Sequence, residues 1–137
     1  MNNLSDLEKS IGYKFKDKKY LKIALTHKSY LDEYPELHSN QRYEFFGDAI
    51  LDFDLTEYLF EKYPDLDEGS LTKIRSSAVN QFYLVKLGRK INIGQYLYLS
   101  KAEESTGGRE KDSILEDSLE ALIAALYFDG GLNAVND

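Results

Sequence analysis

The sequence predicts an all-α domain, and three observations carry that prediction. Apolar residues recur at three- and four-residue intervals through its long segments. Residues suited to helix capping precede several of these segments, and Pro or Gly follows them. A single short stretch, QYLYLS at 95–100, is the only candidate strand, and it has no second strand to pair with. With 137 residues the chain is about one domain long and can bury a real core.

The elements follow in order. DKKYLKIALTHKSY (17–30) spaces Tyr20, Leu21, Ala24 and Leu25 at helical intervals and leaves most of its lysines on the other side, as an amphipathic surface helix does. After the polar stretch LDEYPELHSN, Asn40 is expected to cap a long helix from about Gln41 to Lys62, which Tyr63 and Pro64 end. DLDEGSLTKIRSSAVNQFYLVKLGRK supplies one or two more helices, with Asp67 as a cap and Gly88 as a weak point near the end. EESTGGREK reads as a glycine-containing loop. DSILEDSLEALIAALYFDGG then forms a final strong helix, capped by Asp112 or Ser113 and stopped by Gly130 and Gly131, after which LNAVND resembles the first turn of another.

Composition removes several function classes. Without cysteine there are no disulfides, thiolate zinc sites or cysteine nucleophiles. The opening MNNLSDLEKS lacks the cationic start and apolar run of a secretory signal, and no later stretch is apolar for long enough to cross a bilayer. A cytoplasmic protein with no membrane partner is expected. Asp and Glu total 24 against 17 Lys and Arg, and a net charge of −7 argues against a general polyanion-binding surface. Any nucleic-acid contact must therefore be local.

The chemistry gathers at YEFFGDAILDF (43–53). Each helical residue advances by about 100°, so Glu44 and Asp48, at i and i+4, lie one above the other. Asp117 and Glu120, at i and i+3 in the last helix, do the same. Both pairs are flanked by Phe, Ile, Leu and Ala expected in a core, where unpaired carboxylates are costly. A hard divalent ion, Mg²⁺ or Mn²⁺, would satisfy them. The competing reading is a solvated acidic face, which is the one assigned to Asp52, Asp54, Glu57 and Glu61; spacing alone leaves both open for the two pairs. A di-iron site normally carries Glu-x-x-His, whereas Gly47 and Ile123 hold those positions and the only histidines, His27 and His38, read as solvated or locally bonded. Gly47 itself reads as a close helix contact.

NQRYEFFGDAILDF closely resembles the signature of the ribonuclease III family, NERLEFLGDAVL, and SILEDSLEALIAALYFDGG resembles its second acidic motif, SILADAFEALIGALYLDGG. EGSLTKIRSSAVN, GQYLYLSKAEESTGGREKDSIL and ALTHKSY match further family segments in the correct order, from about residue 6 to 132, although Ser100 and Ala102 stand where glycines are usual. The resemblance implies a helical endonuclease domain spanning 1–137 that dimerises and cuts double-stranded RNA with Mg²⁺, Mn²⁺ being a substitute. The products it implies carry 5′-phosphate and 3′-hydroxyl ends with short 3′ overhangs.

Position by position, the resemblance places the metal-site carboxylates at Glu44, Asp48, Asp117 and Glu120, with Asp48 and Glu120 also catalytic. It makes Phe45 the residue that enters a pocket of the partner subunit in a homodimer. Lys73, Arg75, Lys101, Arg109 and Lys111 are the bases best placed to meet phosphates. Two departures stand out. Gln41 replaces the family's first signature glutamate and can still bond water or RNA, and Glu116 replaces a small residue and is expected at the surface. The double-stranded RNA-binding domain that follows in bacterial members is absent, so a truncated chain is expected.

Overall fold

The computed structural model describes residues 3–78 and 80–136, with no description of the side chains of Ala78 and Asn136. Among the described residues seven α-helices run in order: α1 Leu4–Ile11, α2 Lys18–Ala24, α3 Gln41–Lys62, α4 Glu68–Ala78, α5 Gln81–Lys90, α6 Lys101–Ser105 and α7 Asp112–Asn136. Among the described residues there is no strand, and the all-α expectation holds.

α7 is the central element. Its residues Ile114, Leu115, Leu119, Ala121, Leu122 and Ala125 meet Leu7 of α1, Leu21 and Ala24 of α2, and Leu84 and Val85 of α5 in one apolar cluster. α2, α3 and α5 all pack on α7, and α4 packs against α3. No helix among the described residues is long and apolar enough to cross a membrane.

Several local expectations change in the structure. The helix expected over 17–30 stops at Ala24, because the backbone at Thr26 leaves it to form a lone parallel bridge with Tyr98. His27 N–H donates to the Tyr98 carbonyl at 3.1 Å and Tyr98 N–H to that of Leu25 at 2.9 Å. The stretch read as a strand without a partner thus spends its one pairing on a loop. Residues Lys28–Asp32 form a 3-10 turn instead of continuing α2. α3 has the expected bounds, but the Asn40 side chain does not cap it; its amide donates to Ala24 O at 3.0 Å, tying the helix start to α2. α1 was not anticipated: Asn3 caps it, and Gly12 ends it at a φ of 75°.

Asp67 does cap α4, accepting from Ser70 N–H at 2.8 Å. The segment over 65–90 resolves into two helices, and Val79 between them lies outside the described residues. α5 continues past Gly88 to end at Lys90, and the glycine is buried where it meets Ile93. The expected loop at 103–111 is more ordered than the glycines suggest, because Ser100 caps α6 through Glu103 N–H and a 3-10 turn spans Gly108–Glu110. α7 begins at Asp112, whose carboxylate accepts from Arg89 at 3.0 Å. Gly131, at a φ of 74° and a ψ of −171°, interrupts the helix where its end was expected, and a second helical stretch runs on from it through Asn136.

Candidate functional site

The site lies where α3 crosses α7, and Gly47 is what allows the crossing. A Cβ at this position would overlap the carbonyl oxygen of Glu120 and press on the Ala124 amide. Only a glycine lets the two backbones meet so closely. The packing role expected for Gly47 is therefore observed. One residue on, Asp48 projects from α3, and Glu44 stands a turn earlier.

Glu44, Asp117 and Glu120 each bring one carboxylate oxygen to within 4.8 Å of the others. Asp48 lies outside that trio but reaches Glu120, with which it shares a hydrogen bond when Glu120 is protonated. The two acid pairs chosen by helical spacing thus meet in space. Glu120 is only 4 % exposed, Glu44 is half-buried and Asp117 is exposed. Among the described residues none of the four takes part in an ion pair.

Burial and mutual repulsion govern their protonation. Burial, the Asp48 hydrogen bond and the charges of Asp48, Glu44 and Glu116 push Glu120 up to about 9. Glu44 is raised by burial first and then by Asp117 and Asp48. Asp117 is also raised by burial, with His27 and Lys28 partly offsetting it. A converging set of oxygen donors, none of them in an ion pair among the described residues, fits a hard divalent ion, which would hold all of them ionised.

The surroundings differ from expectation in two places. The phenylalanines beside the α3 acids are not core: Phe45 is 78 % exposed, and Phe46 and Phe53 are exposed as well. α3 buries only Gly47, Ile50 and Leu59, so most of its apolar surface faces outward. Glu116, expected at the surface, is half-buried and close enough to the site for its charge to raise Glu44 and Glu120. Its signal was present in the sequence, since 116 and 120 are themselves i and i+4.

His27 was passed over as locally bonded, and so it is: its Nδ1 accepts from Ser29 N–H at 3.1 Å. Ser29 Oγ in turn accepts from Ser100 N–H at 3.0 Å, which leaves its hydroxyl proton for the same Nδ1, 2.8 Å away. The neutral ring therefore carries its proton on Nε2, and burial lowers its pKa.

The five bases are split. Arg75 pairs with Asp52 and donates to Thr56 on α3. Arg109 clamps Glu104 and the carbonyls of Gly94 and Leu97, and Lys111 holds Glu103 at 2.5 Å. Lys73 and Lys101 are exposed, and among the described residues neither forms an ion pair. Gln41 is exposed at the start of α3, where it lines an apolar groove with Tyr20, Tyr43, Phe45, Phe46 and Phe128 and does not join the carboxylate trio.

Comparison with known proteins agrees with this arrangement. The sequence matches the Ribonuclease-III-like family over residues 17–137. The chain belongs to that family. It is 50 % identical over 137 residues to Ribonuclease 3 of Sulfurovum sp. (strain NBC37-1), covering all of this chain and 60 % of that protein. It is 47 % identical over 135 residues to Ribonuclease 3 of Campylobacter fetus, covering 98 % of this chain and 59 % of the relative. This ribonuclease-III-like chain thus spans about three-fifths of the length of these curated relatives. The crystal structure of the Ribonuclease III nuclease domain from Campylobacter jejuni superposes with a TM-score of 0.89 at 44 % identity, covering 99 % of this chain and 90 % of that one. A further structure of that domain, with a TM-score of 0.87 at 42 % identity, covers 98 % of this chain and 96 % of its own and describes structural flexibility in a region involved in its dimer formation.

Proposed function

We propose that residues 1–137 form the nuclease domain of a cytoplasmic RNA-processing endoribonuclease that hydrolyses double-stranded RNA with Mg²⁺, or Mn²⁺ in its place. One observation carries this reading: acids from two helices, Glu44, Asp117 and Glu120, converge within 4.8 Å in a chain of the ribonuclease-III-like family. A bound divalent ion would supply Lewis acidity and an activated water for phosphodiester hydrolysis.

The protein's own residues prepare the site for it. Glu44 and Glu120 would hold the ion most directly, while Asp48 and Asp117 would ligate it or orient water at the rim. The α3–α7 crossing at Gly47 fixes the distance between the acid pairs without help from a flexible loop. Glu120 would have to give up its proton to hold an ion, so loading would be coupled to pH. Lys73 and Lys101 offer exposed charge to RNA phosphates, and Gln41 offers an amide to water or RNA. Arg75, Arg109 and Lys111 are engaged within the chain and must exchange those bonds to reach a phosphate.

Phe45 inserts into a partner subunit, and the resulting homodimer places one site on each strand of the duplex. Duplex shape, phosphates and 2′-hydroxyls provide recognition. Incubation of duplex RNA with the chain, with and without Mg²⁺, followed by mapping of the ends, tests the reading. Metal-dependent cuts leaving 5′-phosphates and short 3′ overhangs are expected. Duplex RNA left intact at every Mg²⁺ concentration would refute it.

A further inference from the structure

Glu116 stands at the place where the motif resembled here carries a small residue, so the resemblance assigns its carboxylate no role. On α7 it precedes Glu120 by four residues, which turns the two side chains only about 40° apart around the helix axis, less than the roughly 60° between Asp117 and Glu120. It is half-buried on that face. Gln81, at the start of α5, donates its amide to Glu116 Oε1 at 3.5 Å, and no ion pair neutralises the group among the described residues.

Electrostatic reach runs both ways. The charge of Glu116 acts on Glu44 and Glu120, and those of Asp117 and Asp48 act on Glu116.

We propose that Glu116 is a fifth carboxylate of the divalent-ion site, oriented by Gln81, that strengthens the site's hold on the ion through its charge. This rests on the metal-site reading above. Glu116 adds attraction from a position outside the converging trio, so its contribution follows charge rather than ligand geometry. It also adds repulsion among the acids whenever no ion is present. The two effects have opposite signs and can be read separately.

The test is calorimetric titration of Mn²⁺ into the metal-free chain at low salt, without RNA, for the parent and for E116Q, E116K and E120Q. E116Q keeps the shape and removes the charge, so its dissociation constant should rise about fivefold, and E116K should raise it further in the same direction. Added salt should narrow the gap between parent and E116Q. The metal-free melting temperature of E116Q should equal or exceed the parent's, because a repulsion has been removed. Dissociation constants that are the same for parent, E116Q and E116K overturn the inference, as does a lower metal-free melting temperature with unchanged Mn²⁺ affinity, which marks a structural role. A parent that takes up no Mn²⁺, or an E120Q that binds as the parent does, instead overturns the metal-site reading itself.

Discussion

Glu120 has almost no contact with solvent, yet its nearest ionisable neighbours are acids. In the metal-free protein it holds its proton up to about 9, whereas the unfolded chain releases it near the ordinary glutamate value of 4.5. Between those values the folded state binds more protons than the unfolded one, so stability is greatest below the window and falls as pH rises through it. Metal-free thermal melts from pH 5 to 9 should show that decline, and Glu120→Gln should flatten it. The same variant should nearly abolish Mg²⁺-dependent cleavage at concentrations that saturate the parent, because loss of a holder removes catalysis more completely than loss of a phosphate contact. Undiminished cutting with an unchanged pH profile would remove Glu120 from the site. The four acids were legible in the sequence because helical angle is a local property, and the separate pairs needed only periodicity to be seen. Glu116 was misread because its angle was measured from Asp117 alone.

The crossing of α3 over α7 gives Gly47 a steric role that no other residue type fills. Gly47→Ala should cost at least about 2 kcal/mol, since the new methyl group meets backbone rather than a movable side chain. Urea unfolding measures this; a loss within a few tenths of a kcal/mol would mean that the helices separate easily. α3 is also the element whose outward face is hardest to explain in a lone chain, with Phe60 71 % exposed beyond Phe45, Phe46 and Phe53. If Phe45 fills a partner's pocket, Phe45→Ala should raise the dimer dissociation constant at least tenfold, as truncation of a buried aromatic anchor does. Sedimentation across a dilution series reads it, and a parent that is monomeric at micromolar concentration would refute the dimer. The bounds of α3 were legible from the polar break before it and Pro64 after it. α1 was not, because its two turns send only Leu7 and Glu8 fully inside and offer too short a period to recognise.

Charge is the property that belongs to the molecule as a whole. At −7, the chain has little nonspecific attraction for a phosphate backbone, and three of the five bases expected to meet phosphates are already engaged. Binding to duplex RNA should therefore be weak at physiological salt, should strengthen with divalent ion, and should fall steeply as monovalent salt rises. Filter binding with and without Mg²⁺ checks this, and tight metal-free binding at physiological salt would place recognition on some other surface. The helical content was legible from periodicity, but the way the loops close around it was not. Thr26 meets Tyr98 across 72 positions, and no local pattern announces such a partner.

That same bridge has a consequence for how the protein breathes. Amides of His27, Asn40 and Tyr98 all donate to backbone carbonyls gathered around Thr26, although none of the three lies inside a helix. Deuterium uptake at these positions should be slow and should match among the three, since opening any one requires distant stretches of the chain to part together. The first turn of α3, which presents Glu44, is moored to this knot through Asn40, and should open only when the knot does.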